Sequence, residues 1–213
     1  MAEAVIFDLD GIVVDTVPIH FKAWKKMFNE YGKYFTFEHY KEKVDGIPRI
    51  DGAAAILKEL DKKELKEAAQ KKQEYFREFL DRNSIPVYES TVGLIKQLKK
   101  SGIPRAVISS SKNCTYILKK INIDKFLDAV VDGNRGLKGK PDPEIFLTAA
   151  RELKISPEKC LVFEDALLGV EAAKNAKMHC VGVDRYGDPE RLKDADRVIE
   201  DLSQISLEEI KKI

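Results

Sequence analysis

The sequence predicts an α/β fold with a Rossmann-like parallel sheet and an inserted helical cap domain. From residue 91 onward, helical periodicity alternates with short apolar runs, which is typical of a parallel sheet covered by helices on both faces. Between the first apolar run and this alternating part, residues 18–82 show helical patterns only. We therefore expect residues 1–15 and 85–213 to form the core, and residues 16–84 to form the cap.

The individual elements are predicted from hydrophobic period and from stop signals. In the cap, apolar residues recur at helical spacing from His20 to Tyr31, and a second helical pattern covers residues 58–80. Asp142 and Pro143 are typical of a helix start, and Ser101-Gly102 of a helix end. The predicted strands are residues 4–7, 105–108, 129–131, 160–163, 179–183 and a weak one near 198–199. The predicted helices outside the cap are residues 91–100, 112–120, 144–153, 167–176 and 207–212.

One backbone detail is also predicted. The chain must reverse direction within about two residues between helix 167–176 and the strand that begins at His179. Such a reversal commonly uses a residue in the left-handed conformation, which is normally glycine. Lys177 occupies this place, so we predict a positive φ there.

Composition excludes several classes of function. The 213 residues carry 37 basic and 36 acidic side chains and a net charge of +1, so no overall field attracts nucleic acid or a membrane surface. No apolar run approaches the ~18 residues of a membrane span, and the first strand begins too early for a signal peptide. Cys114, Cys160 and Cys180 lack metal or disulfide spacing, which favours buried, reduced thiols in a cytoplasmic protein. We expect a monomer.

Four loops carry polar residues directly after predicted strands. They contain Asp8 with Asp10, Ser109, Lys140, and Glu164 with Asp165. Parallel strands bring such loops to one edge of the sheet, where open α/β sheets bind their ligands. Each residue alone has an ordinary explanation, such as a helix cap or a solvated loop lysine. Together, in this order, they predict a site for a phosphate group.

Each of these residues suits a step of phosphoryl transfer. One carboxylate of the Asp8 and Asp10 pair can attack phosphorus while the other moves a proton. Asp8, Asp165 and the carbonyl of residue 10 can hold Mg²⁺, which prefers oxygen ligands. Ser109 and nearby amides at a helix start can hold phosphoryl oxygens, and Lys140 can stabilise negative charge in the transition state. The residues therefore predict an enzyme that forms an aspartyl-phosphate.

The chain resembles the haloacid dehalogenase superfamily of phosphotransferases over its full length. The resemblance rests on four segments, residues 7–11, 108–113, 139–143 and 163–165. It implies Asp8 as nucleophile, Asp10 as acid and base, Mg²⁺ as cofactor, and a helical cap inserted after the first segment. Asp8, Asp10, Glu164 and Asp165 are then the expected metal-site residues. An acid at position 10 indicates action on phosphate esters rather than dehalogenation.

Within that superfamily, residues 20–25 and 46–49 resemble the cap of the beta-phosphoglucomutase family. The resemblance implies a second phosphate site, with Arg49 on the cap side and either Lys71 or Lys72 as a further contributor. The expected substrate-binding residues are His20, Trp24, Gly46, Arg49, Ser110, Ser111, Lys112 and Asn113.

Three functions remain open from the sequence. The first is Mg²⁺-dependent conversion of beta-glucose 1-phosphate to glucose 6-phosphate. The second is a phosphatase that hydrolyses a small sugar phosphate or related phosphomonoester with the same residues. The third is a non-catalytic protein with an inherited fold, which the intact Asp8, Asp10, Lys140 and Asp165 disfavour. In either enzyme the partner is a small phosphorylated substrate.

Overall fold

A computed structural model describes residues 1–44 and 47–213 of the chain. Within these residues, six strands form one parallel sheet in the order β3-β2-β1-β4-β5-β6. The strands are β1 (Ala4–Asp8), β2 (Arg105–Ile108), β3 (Ala129–Val131), β4 (Cys160–Glu164), β5 (His179–Val183) and β6 (Arg197–Ile199). The predicted α/β fold with a parallel sheet is confirmed.

The α-helices of the described residues connect or follow these strands. They are α1 (Val17–Glu30), α2 (Phe37–Lys43), α3 (Arg49–Ile56), α4 (Lys62–Arg82), α5 (Glu89–Lys100), α6 (Cys114–Lys120), α7 (Glu144–Leu153), α8 (Leu167–Asn175) and α9 (Leu207–Lys212). No helix in the described part of the chain has the length and apolar character to cross a membrane.

The sheet is buried because helices cover it. Every residue of β1, β2 and β4 is buried, as expected for central strands of a parallel sheet. Apolar side chains of α7 and α8, among them Phe146 and Val170, pack with Ile6, Ile108 and Val162 in one apolar cluster. The three cysteines are free, and the prediction that they are buried is confirmed.

The strand register determines which side chains meet at the carboxyl edge. Asp8 on β1 lies level with Ile108 on β2, and Phe7 lies level with Phe163 on β4. Ser109 and Glu164 therefore lie on either side of Asp8. The central strand thus ends between the two loops that the sequence singled out.

The chain divides into two compact units. One consists of Met1–Asp15 with Pro86–Ile213 and contains the sheet. The other is Thr16–Ile85, in which the described residues form only helices and connecting turns. Its own apolar core is built around Trp24, Met27, Phe28 and Phe35.

Several predicted helix boundaries were wrong. Residues 58–61 are not helical: α4 begins at Lys62 because Asp61 is its N-cap and accepts hydrogen bonds from the Lys63 and Glu64 amides. The helix predicted from residue 112 begins at Cys114, and the one predicted from residue 91 begins at Glu89. Before α7 the N-cap is Pro143 rather than Asp142, although an Asp142 oxygen accepts from the Glu144 amide at 3.0 Å.

The backbone prediction at Lys177 is confirmed. Its φ is 59°, and its amide donates to the Lys174 carbonyl at 2.9 Å, just after α8 ends. The next amide, of Met178, donates back to Ala173. This is how a helix ends through a left-handed residue, here without the glycine that usually allows it.

Candidate active site

The loop after β1 is a tight turn that depends on Gly11. Its φ is +78°, and its amide donates to the Val14 carbonyl at 2.9 Å. A Cβ at Gly11 would overlap the carboxylate of Asp165, so a side chain is excluded by both conformation and space. The turn thus places the segment containing Asp10 directly against Asp165.

Lys140 joins the first and last of the predicted loops. Its Nζ lies 2.6 Å from Asp8 Oδ1 and 2.9 Å from Glu164 Oε2. The side chain of Lys140 is 13% exposed, that of Asp8 is 8% exposed, and that of Glu164 is 1% exposed. Burial opposes the charge on Lys140, but Asp8 and Glu164 outweigh this and raise its pKa, so the lysine is a cation.

Three carboxyl groups gather around this one cation. Asp8, Glu164 and Asp165 each offer an oxygen, and these oxygens lie within 4.8 Å of one another. Burial, followed by the charge of Asp8, raises the pKa of Glu164 to about 7. Burial, followed by Glu164 and Asp8, raises the pKa of Asp165 as well. Three buried carboxyl groups therefore face a single ammonium group, and their raised pKa values show that ionising all three without a further cation is unfavourable.

This donor set fits a divalent cation. Ionised, the three carboxyls and Lys140 sum to a charge of about −2, which one Mg²⁺ would balance, and Mg²⁺ prefers carboxylate oxygens. Asp8, Glu164 and Asp165 are the residues that could hold it. The carboxylate of Asp10 is not part of this cluster. A contribution from Asp10 to a metal site stays a prediction.

Asp10 instead faces the loop after β2. Ser109 Oγ is directed at Asp10 Oδ2 over 3.5 Å, which is a long hydrogen bond. Ser109 is buried, and its Oγ also accepts from the Ser111 amide at 3.0 Å. The acid and the hydroxyl therefore lie side by side at the end of neighbouring strands.

The rest of the Ser109–Asn113 loop is held by internal hydrogen bonds. Ser111 Oγ accepts from the amide of Asn113, the buried N-cap of α6. Ser110 and Lys112 are exposed. The structure thus presents two exposed side chains on a loop with fixed ends, next to Asp10.

The loop after β3 supports the Ser109–Asn113 loop. This support was not predicted from the sequence. The Gly133 amide donates to the Ser111 carbonyl, and Asn134 Nδ2 donates to the Lys112 carbonyl. Buried Asp132 accepts from Thr115 Oγ1 at 2.7 Å. Burial acts to raise the Asp132 pKa, but hydrogen bonds from Thr115 and Asn134 prevail and lower it. The run Asp132-Gly133-Asn134 directly after a strand was the available signal.

The helical unit contains the remaining predicted residues. His20 is stacked on Phe76 with ring centroids 4.0 Å apart, and His20 Nδ1 lies 2.7 Å from Lys72 Nζ. Burial, then Lys72, then Arg49 lower the pKa of His20, so its ring is neutral. Lys72 is 1% exposed.

Trp24 packs within that unit. It is 2% exposed and stacks on Phe28. Of the two lysines left open by the sequence, Lys72 is the buried one, with its ammonium 5.1 Å from the Trp24 ring centroid. Lys71 forms a surface ion pair with Glu30. The substrate contacts expected of Trp24 and His20 stay predictions.

Arg49 lies at the start of α3 and is half-buried. It lines a groove of about 410 Å³ together with residues of α4, including Lys66 and Gln70. Partial burial lowers the pKa of Arg49, which still leaves it a cation at neutral pH. Gly46, also predicted as a substrate contact, lies outside the described residues.

Comparison with known proteins identifies the class. A family model described as haloacid dehalogenase-like hydrolase matches residues 5–183, and the chain belongs to this family of enzymes. The family recognised from the sequence motifs is therefore confirmed. Magnesium dependence is general for the family, in agreement with the acidic cluster.

Individual relatives fall into two activities. The chain is 35% identical over 213 residues to beta-phosphoglucomutase of Bacillus subtilis, covering 97% of this chain and 92% of that protein. It is 33% identical over 204 residues to a phosphorylated carbohydrates phosphatase of Thermotoga maritima, covering 93% and 90%. The crystal structure of beta-phosphoglucomutase from Clostridium difficile superimposes with a TM-score of 0.86 at 31% identity, covering 100% of this chain and 96% of that one.

Proposed function

We propose that this protein transfers a phosphoryl group on sugar phosphates through an aspartyl-phosphate at Asp8, and that it interconverts beta-glucose 1-phosphate and glucose 6-phosphate. The observation that carries the proposal is the contact of Asp8 with Lys140 at the end of the central strand. An anionic nucleophile can approach a phosphate dianion only where positive charge offsets the repulsion. Lys140 supplies that charge at 2.6 Å.

Each group of the site has a distinct role in this reaction. Asp8 attacks phosphorus, and Asp10 protonates the leaving sugar oxygen and later deprotonates the accepting hydroxyl. Ser109 holds a phosphoryl oxygen, and Lys140 stabilises the charge of the transition state. A Mg²⁺ held by Asp8 and Asp165, with Glu164 beside it, would neutralise charge on the phosphoryl oxygens.

A mutase needs a place for the phosphate that is not being transferred. Arg49 is the residue of the helical unit best suited to this, because its planar guanidinium matches phosphate geometry and lines a groove that also contains Lys66. The other substrate contacts kept in this proposal are those that the family resemblance implies: His20, Trp24 and Gly46 from the cap sequence, and Ser110, Ser111, Lys112 and Asn113 from the loop after β2. The names of the relatives from Bacillus and Clostridium support this assignment.

The second candidate is a phosphatase that hydrolyses a small sugar phosphate. It uses the same residues, but water instead of a sugar hydroxyl accepts the phosphoryl group from Asp8. The name of the Thermotoga relative favours this alternative. The two activities differ only in the acceptor, so product analysis separates them.

The test is incubation with beta-glucose 1-phosphate, Mg²⁺ and a trace of glucose 1,6-bisphosphate. The proposal predicts glucose 6-phosphate as the main product. Free glucose and inorganic phosphate would instead establish the phosphatase. No turnover of this sugar or of p-nitrophenyl phosphate would refute both.

Arg49→Ala tests the second phosphate site. Loss of a charge-assisted hydrogen bond costs roughly 1.5–3 kcal/mol, so bisphosphate-dependent turnover should fall by about one to two orders of magnitude. Hydrolysis of p-nitrophenyl phosphate, which lacks a second phosphate, should be unchanged. Arg82→Ala is the control, since Arg82 is 73% exposed and its ion pair among the described residues is with Glu78 on the same helix. If Arg49→Ala lowered both rates by the same factor, Arg49 would not bind the second phosphate.

A further inference from the structure

Arg185 reaches from the loop after β5 to the catalytic turn. Its Nε donates to the Gly11 carbonyl at 2.7 Å, although the two residues are 174 positions apart. Its Nη1 donates to the Glu200 carbonyl at 3.0 Å and lies 3.6 Å from Asp201 Oδ2. The side chain is 14% exposed. Arg185 therefore connects the Gly11 turn with the segment after β6.

The same guanidinium stacks on Tyr88. Its central carbon lies 3.7 Å from the ring centroid of Tyr88. The Tyr88 amide donates to the Val13 carbonyl at 3.0 Å, and Val14 is bridged to Val87. Arg185 thus holds the segment after Asp10 twice, directly at Gly11 and through Tyr88 at Val13.

The carboxylate of Asp201, which faces Arg185, is itself fixed. Asp201 Oδ2 accepts from Ser90 Oγ at 2.8 Å, and Asp201 Oδ1 accepts from the Ser203 amide at 2.9 Å. Hydrogen bonds from Ser203 and Ser90 and the charge of Arg185 outweigh the effect of burial and lower the pKa of Asp201. The guanidinium is therefore seated against an ionised carboxylate.

We propose that Arg185 is a positioning residue that holds the Asp10–Gly11 turn, and through it the Asp10 carboxylate, in the geometry needed for proton transfer. The inference rests on the proposed role of Asp10. The Gly11 amide, which donates to Val14, belongs to the Asp10–Gly11 peptide, and the Gly11 carbonyl, which accepts from Arg185, belongs to the Gly11–Ile12 peptide. Because each peptide unit is planar, fixing both units restrains the two backbone dihedral angles of Gly11 and so the orientation of the turn. An arginine is required because its rigid fork donates in two directions while its face stacks on an aromatic ring.

A positioning role predicts a specific kinetic signature for Arg185→Met. Methionine keeps an apolar stem against Tyr88 but cannot donate to Gly11 or Glu200. With Asp10 displaced, hydrolysis of phenyl phosphate, whose leaving oxygen needs a proton, should lose about tenfold more kcat than hydrolysis of p-nitrophenyl phosphate. KM for the two substrates should change in parallel.

Arg191→Met is the matched control. Arg191 lies six residues further on, and its guanidinium stacks on Tyr186 at 4.6 Å. The same substitution there should leave the ratio of the two rates unchanged. In Arg185→Met, both rates could fall by the same factor, or neither could fall. In either case the ratio stays unchanged, Arg185 does not position Asp10, and the proposal is refuted.

A second measurement does not depend on activity. Hydrogen exchange of the peptide covering residues 9–16, in metal-free protein, should be faster in Arg185→Met than in wild type or Arg191→Met. Unchanged exchange there would overturn the proposal even if the wild-type protein hydrolysed neither ester. Failure of the wild type on both esters refutes the proposed function, whereas an unchanged exchange rate refutes the role of Arg185.

Discussion

Replacing Lys140 by methionine should destabilise the fold as well as abolish activity. The substitution keeps a side chain of similar length but removes the only cation in contact with Asp8 and Glu164 among the described residues. Breaking a buried ion pair on one side typically costs about 3–5 kcal/mol, because the partner charges stay buried. For a chain of this length, ~2–4 °C per kcal/mol gives a fall in Tm of about 6–20 °C at neutral pH.

The loss of stability caused by Lys140→Met should depend on pH. A carboxyl whose pKa is raised on folding favours the folded state below its unfolded pKa, and this stability is lost as pH rises through the folded value. For Glu164 that interval runs from 4.5 to about 7. Without Lys140 the Glu164 pKa rises further. The difference in Tm between Lys140→Met and wild type should therefore be smaller at pH 5.5 than at pH 8.

Thermal unfolding in EDTA measures this effect, with two companion variants. Lys138→Met is the control, because Lys138 is 76% exposed and its ion pair with Asp142 contributes about 0–1 kcal/mol. Adding Glu164→Gln to Lys140→Met removes one unpaired carboxylate and should recover part of the loss at pH 8. If Lys140→Met loses no more stability than Lys138→Met, the buried network does not have the energetic role assigned to it.

Three further predictions concern single positions. Asp10→Ala should slow transfer from a sugar phosphate by ~10²–10⁴-fold while sparing turnover of acetyl phosphate, whose leaving group needs no proton; equal losses would make Asp10 structural. Gly169→Ala should cost about 1–3 kcal/mol, because the added Cβ overlaps the buried Glu164 carboxyl group, whereas Gly93→Ala in α5, with open space around it, should be neutral or stabilising in the same denaturant titration. Lys177→Gly should leave Tm unchanged or raise it, since glycine relieves a left-handed strain of roughly 1 kcal/mol; a clear drop in Tm would contradict this.

Local signals predicted the strands and most of the core site. The short apolar runs before Asp8, Ser109 and Glu164 each identified a strand, and parallel pairing then placed all three residues at one edge. The positive φ of Lys177 was predictable because about two residues separate the helix from the strand, and such a short reversal commonly uses a left-handed residue. These features depend on residues close together in sequence or on the general geometry of parallel sheets.

Other features depend on contacts that no local pattern encodes. Lys72 and His20 are 52 positions apart, and Arg185 and Gly11 are 174 apart, so only the folded chain pairs them. The start of α4 was misplaced for a different reason. The Lys- and Glu-rich run continues across Asp61, and helical periodicity concealed a capping box whose Asp and Glu were visible in the sequence.

The central claim is that Asp8 becomes phosphorylated during turnover, and trapping that intermediate tests it most directly. Protein incubated with acetyl phosphate and Mg²⁺ would be quenched, reduced with borohydride, which converts an aspartyl-phosphate to homoserine, and mapped by mass spectrometry. The account predicts homoserine at position 8 in wild type and none in Asp8→Asn. An active wild type that carries the modification elsewhere, or nowhere, would contradict it.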